Sequence, residues 1–148
     1  MKKIIGIILV AAALVLVLFG FRLGKKLSYE ALEKNDGFVE MQLQIVARDI
    51  NARLPRMVNS ELRLDETQAG PGKIFTSFFT LPDYTADTLD QQKRAAILDA
   101  DTRSTCGSRD LKPLLDAGVS IVHHYRGSDG NDAFTLTLTA QSCGLTDK

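Results

Sequence analysis

VSIVHHYRGSDGNDAFTLTLTAQSC, Val119 to Cys143, is the stretch whose reading decides the fold. In its first half Val119, Ile121, His123 and Tyr125 alternate with Ser120, Val122, His124 and Arg126, the period of two expected of a strand buried on one face. The polar run Gly127 to Asp132 supplies a turn, and Ala133 to Gln141 returns. On the return strand Phe134, Leu136, Leu138 and Ala140 face one way and Thr135, Thr137 and Thr139 the other. A threonine row of this kind marks the solvent side of a sheet.

Reading outward from this hairpin, Cys143 stands just past its end and Cys106 lies upstream; no other cysteine is present. An even pair without a C-x-x-C arrangement or neighbouring metal ligands is most simply a disulfide, which requires an oxidising compartment. Between Cys106 and the hairpin, Asp110 to Gly118 predicts a short helix with Pro113 in its first turn, Leu111, Leu114 and Leu115 on its apolar side, and Gly118 as its stop. Before Cys106, a longer helix is expected from Ala86 to about Arg103, capped by Thr85. Its buried side would be Leu89, Ala96, Ile97 and Ala100, with Asp87, Asp90, Lys93, Arg94, Asp99 and Asp101 solvated.

A first hairpin precedes this. Val58 to Glu66 alternates Val58, Leu62 and Leu64 with Glu61, Arg63 and Asp65, Gln68 to Gly72 turns, and Lys73 to Leu81 returns. The second strand carries bulk on both faces, Ile74 and Phe78 on one and Phe75, Phe79 and Leu81 on the other. Upstream, Val39, Leu43, Val46, Ile50 and Leu54 recur at helical spacing, with Met41 and Ile45 widening the stripe, and Pro55 ends the helix. A packed helix is the plain reading, and a coiled-coil partner helix the alternative. The order helix, two strands, two helices, two strands predicts an α+β fold: an antiparallel four-stranded sheet of two hairpins packed by helices.

At the amino terminus, Ile4 to Phe21 contains no charged or strongly polar side chain and is flanked by Lys2, Lys3, Arg22, Lys25 and Lys26. A helix of this length covers about 27 Å, close to the hydrocarbon thickness of a bilayer. The exit from the run lacks small residues suited to a signal peptidase, so residues 1–26 read as a retained signal anchor that meets the lipid bilayer through residues 4–21. Residues 27–148 would then be a periplasmic α+β domain of an inner-membrane, single-pass protein, the disulfide deciding the orientation. Five of the 18 Lys and Arg lie within residues 1–26 and all 18 Asp and Glu beyond them, so the remainder carries a net charge of −5. Phosphate binding needs a basic patch, which excludes nucleic acid as the expected partner.

No motif carries chemistry. His123 and His124 point to opposite faces of a strand and cannot share one metal, and His123 reads as a packed residue beside Tyr125. Asp129, Gly130, Asn131 and Asp132 lack the remaining ligands of a calcium loop and serve as a turn. Neither a phosphate loop nor a dinucleotide-binding glycine series occurs. No catalytic residue, cofactor site or metal site is expected, and the candidate binding surface is the apolar set Phe75, Phe78 and Phe79.

The anchor, the stretch Leu54 to Val58, the segment Ala69 to Gly72 leading into the second strand, and Cys106 with Asp110 to Gly118 and Cys143 carry a resemblance to small single-pass envelope proteins of Gram-negative bacteria. It implies a disulfide-stapled periplasmic domain at the membrane and brings no activity with it. The function expected is that of a non-enzymatic periplasmic domain binding an envelope protein partner, as accessory or assembly factor of an envelope complex. A small-ligand or lipid-binding domain and a secreted inhibitor or immunity-type protein are the alternatives.

Overall fold

The computed structural model describes residues 36–145. The expected anchor over residues 4–21 lies outside them; among the described residues no helix is long and apolar enough to cross a membrane. Helix α1 (Asp36–Asn51) is followed by strands β1 (Arg56–Asn59), β2 (Leu62–Gly70) and β3 (Ile74–Leu81), helices α2 (Gln91–Gly107) and α3 (Lys112–Asp116), and strands β4 (Ser120–Gly127) and β5 (Asp132–Leu138). The strands form one sheet in the order β1-β2-β3-β4-β5.

The expectation of four antiparallel strands is corrected in two respects. The segment expected as one strand from Val58 to Glu66 is two, because the chain reverses between Asn59 and Leu62 and β1 folds back on β2. The two hairpins also join in parallel, with Ile74 opposite Ser120 and Leu81 opposite Gly127. A long connection carrying two helices can return the chain to the same end of the sheet, which a tight turn cannot. The sheet is therefore five-stranded and mixed, and the α+β class stands.

One face of the sheet builds the core. Val39, Leu43, Ala47 and Ile50 of α1 pack with Leu62 and Leu64 of β2, Phe75, Phe79 and Leu81 of β3, Ile121 and Tyr125 of β4 and Leu138 of β5. The helical stripe is narrower than expected, since Met41 and Ile45 are exposed. On β2 the alternation changes phase: Leu64 stands opposite Phe79 but Glu66 opposite Phe78, so a bulge at Asp65 turns Thr67 rather than Glu66 towards the core. Buried Thr67 is then held by α1, its hydroxyl donating to the Ala47 carbonyl at 3.2 Å and its N–H to Asn51 Oδ1 at 2.8 Å.

Helix α2 begins five residues later than expected. Asp90, not Thr85, caps it by accepting from the Lys93 N–H at 2.7 Å. Thr85 and Thr88 instead close a local turn between β3 and α2. That turn lies on the β4–β5 loop: the Ser128 N–H donates to the Tyr84 carbonyl at 2.7 Å. Gly127 sits where a Cβ would meet Ala86 N at 2.4 Å and Thr85 C at 2.7 Å. Only a residue without a side chain permits that approach.

The disulfide joins Cys106, near the end of α2, to Cys143, just past β5, with a sequence separation of 37. Its stabilisation arises largely from the restricted unfolded chain, and a loop of this length is worth roughly 3 to 4 kcal/mol. Reducing the disulfide, or replacing both cysteines with serine, is expected to lower the unfolding free energy by about that amount in urea titrations. Gly127→Ala is expected to cost about 2 kcal/mol in the same measurement, because both backbone segments must shift.

Candidate functional site

The polar centre of the molecule lies under β4, where α2 crosses the sheet. Buried positions on α2 fall at Ile97, Asp101 and Thr105, spaced by four along one helical face. Strand β4 presents Ile121, His123 and Tyr125 to the same side, as its alternation requires. Asp101, expected among the solvated residues, is thus placed against His123 and Tyr125, while Ala96, expected inside, faces solvent.

A single carboxylate gathers the cluster. Asp101 Oδ2 lies 2.6 Å from His123 Nδ1 and accepts the Tyr125 hydroxyl at 2.7 Å; Oδ1 accepts the Thr105 hydroxyl at 3.1 Å. Burial pushes the Asp101 pKa up, but the charge of His123 and the hydrogen bonds from His123, Tyr125 and Thr105 outweigh it, and the net shift is below the ordinary value of 3.8. The carboxylate is therefore ionised at neutral pH and serves as the hydrogen-bond acceptor at the centre of the cluster. Burial, with the neighbouring negative charge and the hydrogen bond to Asp101, raises Tyr125 well above 10.0. Aromatic packing completes the enclosure: Phe79 meets His123 edge-on and stacks on Tyr125, and Phe134 also stacks on Tyr125 at 4.5 Å between centroids.

An aspartate orienting a histidine through Nδ1 is the arrangement that primes a histidine base in hydrolases. Here the remaining requirement is missing. Ser77 is the register partner of His123 on β3, yet its hydroxyl makes no hydrogen bond to His123 Nε2, and both atoms are buried without a partner. Asp101, His123, Ser77, Thr105 and Tyr125 are each at most 7% exposed, so a substrate would have to displace the core to reach them. The cluster acts as a polar lock between α2 and β4. Sequence reasoning found His123 beside Tyr125 but missed Asp101; the available signal was its spacing of four from both Ile97 and Thr105.

The candidate apolar set does not form one surface. Phe75 and Phe79 are packed in the core. Phe78 is half-buried on the opposite face, between the Arg126 guanidinium, 4.9 Å from its centroid, and the His124 ring at 5.4 Å. His124 in turn lies 2.8 Å from Asp132, so the two adjacent histidines serve opposite faces. Among the described residues no group of three or more His, Cys, Asp or Glu side chains is placed to hold a metal ion.

No family profile matches the chain, and no curated protein matches it by sequence. Three solved structures share its fold. The type II secretion system pilotin AspS from Vibrio cholerae is 20% identical with a TM-score of 0.59, and the type 2 secretion system pilotin EpsS from Vibrio vulnificus is 18% identical with a TM-score of 0.62; each comparison covers 73% of this chain and 94% of the pilotin. A protein from Pseudomonas aeruginosa described as secreted is 16% identical with a TM-score of 0.61, covering 73% of this chain and 95% of its own. At these identities the likeness is one of fold.

Breaking the Asp101 lock is expected to destabilise the domain. Asp101→Asn removes the charge that His123 and Tyr125 are arranged around, and a loss of about 3 kcal/mol is expected in denaturant titrations. Because the folded pKa of Asp101 is lowered, its contribution is complete above the ordinary carboxylate range and is lost as pH falls through the lowered value. Unfolding free energies measured between pH 7 and strongly acidic pH should therefore fall less steeply for Asp101→Asn than for the natural chain.

Proposed function

We propose that this protein is an accessory or assembly factor of an envelope complex, a non-enzymatic domain that acts by binding another envelope protein. The observation that carries the reading is the fold shared with two pilotins of type II secretion systems over 94% of their length. The polar core supports it from the other side, since the Asp101–His123 pair, an arrangement that resembles catalytic machinery, is sealed inside the domain and is accounted for by packing.

The reading extends to location. Residues 27–148 lie in the periplasm, held at the inner membrane by the apolar run from residue 4 to residue 21. Two features support this: the length of that run, and a disulfide that forms in an oxidising compartment. The net charge of −5 beyond residue 26 favours a protein partner over nucleic acid.

In-cell crosslinking, followed by purification of the full-length chain from solubilised membranes and mass spectrometry, tests the proposal. A component of a secretion system or another envelope assembly, recovered in stoichiometric amount, is the expected result. Recovery of no other envelope protein, with a control complex crosslinking efficiently, would overturn it.

A further inference from the structure

The two edges of the sheet are built differently. At one edge, β1 has four residues, follows Pro55, exposes Arg56, and shifts register between Met57 and Asn59. Short length, a neighbouring proline, charge and irregular pairing are the means by which an edge strand is kept from pairing with another chain. At the other edge, β5 has seven residues, DAFTLTL; Asp132 and a register shift at Ala133 stand at its start, and from Phe134 to Leu138 it pairs regularly with β4 and carries no charge. The segment that follows turns back on itself, with the Cys143 N–H donating to the Thr139 carbonyl and the Leu145 N–H to that of Ala140. Among the described residues, no backbone hydrogen bond made outside regular helices and strands engages Ala133 to Leu138.

We propose that the outer edge of β5 pairs with β5 of a second copy of this chain, antiparallel across a twofold axis at Leu136, extending the five-stranded sheet through both copies. Self-pairing in this register is complementary from Phe134 to Leu138. Leu136 meets its own counterpart, Phe134 meets Leu138 and Thr135 meets Thr137. Apolar residues thus oppose apolar residues on the helix-covered face, and threonines oppose threonines on the solvent face. Thr135 and Thr137 are exposed and Phe134 and Leu136 half-buried, with the Arg94 guanidinium of α2 5.7 Å from the Phe134 ring centroid. The register sets no like charges opposite each other, since Asp132 falls opposite Ala140. A second copy therefore fits this edge on both faces. The inference is independent of the envelope-complex reading, because it concerns only what the chain does with itself.

The test exploits the predicted contact between Thr135 of one copy and Thr137 of the other. Molecular mass is measured by analytical ultracentrifugation of the full-length chain in detergent, for the natural sequence, for T135K/T137K and for T135K/T137E. Both positions are exposed, and circular dichroism verifies that each variant is folded. The natural chain is expected to dimerise. T135K/T137K sets like charges opposite each other twice and should raise the dimer dissociation constant by about tenfold or more. T135K/T137E sets opposite charges there and should dimerise as well as the natural chain or better. A natural chain that stays monomeric overturns the proposal, whether its edge is then free, covered by another part of the chain or reserved for a different protein. A dimer indifferent to T135K/T137K, or weakened equally by both variants, overturns it as well.

Discussion

One ionised carboxylate in the core organises much of this domain. Asp101 can remain charged at a buried position only because His123, Tyr125 and Thr105 supply hydrogen bonds to it. Those partners come from α2 and β4, so satisfying the carboxylate also sets how the long helix lies on the sheet. The helix has little alternative, for its buried line of Ile97, Asp101 and Thr105 contains a single large apolar side chain. Specific polar contact does here what a broad hydrophobic stripe does for α1.

The disulfide works on the same helix from its far end. Asp101 holds α2 to the face of β4, while Cys106, little more than one turn later, ties it to the segment beyond β5. The parallel junction between β3 and β4 depends on this arrangement, because the crossover that delivers β4 contains α2 and α3. At the other end of the crossover, the turn containing Thr85 rests against Gly127. The connection is thus held at its beginning, its middle and its end.

This architecture divides the molecule into a closed side and an open one. The helices cover one face of the sheet and enclose every large aromatic side chain of β3 and β4 except Phe78. The other face presents Thr135, Thr137, His124 and Arg126, and the β5 edge borders it. A domain with this polar cluster sealed inside meets its surroundings through surfaces and edges.

The α+β class, the segments of β3, β4 and β5, the face assignment of β4 and β5 and the cysteine pair were all legible in the residues. Each rests on local periodicity or on composition, and alternation from Val119 to Tyr125 leaves little choice about which side chains go inside. Three features were not legible. The parallel pairing of β3 with β4 is a relation between distant segments, and a crossover sequence looks the same whichever way the strands meet. The bulge at Asp65 reverses the alternation of β2, so Thr67 replaces Glu66 at the core, and only the β3 partner determines where that extra residue falls. Asp101 lies buried because two side chains more than twenty positions away compensate its charge. Sequence by itself determined which segments form elements and which faces of them are apolar; tertiary structure alone decided how those elements meet, because the energy of a buried charge or a strand register belongs to the pair and not to either residue.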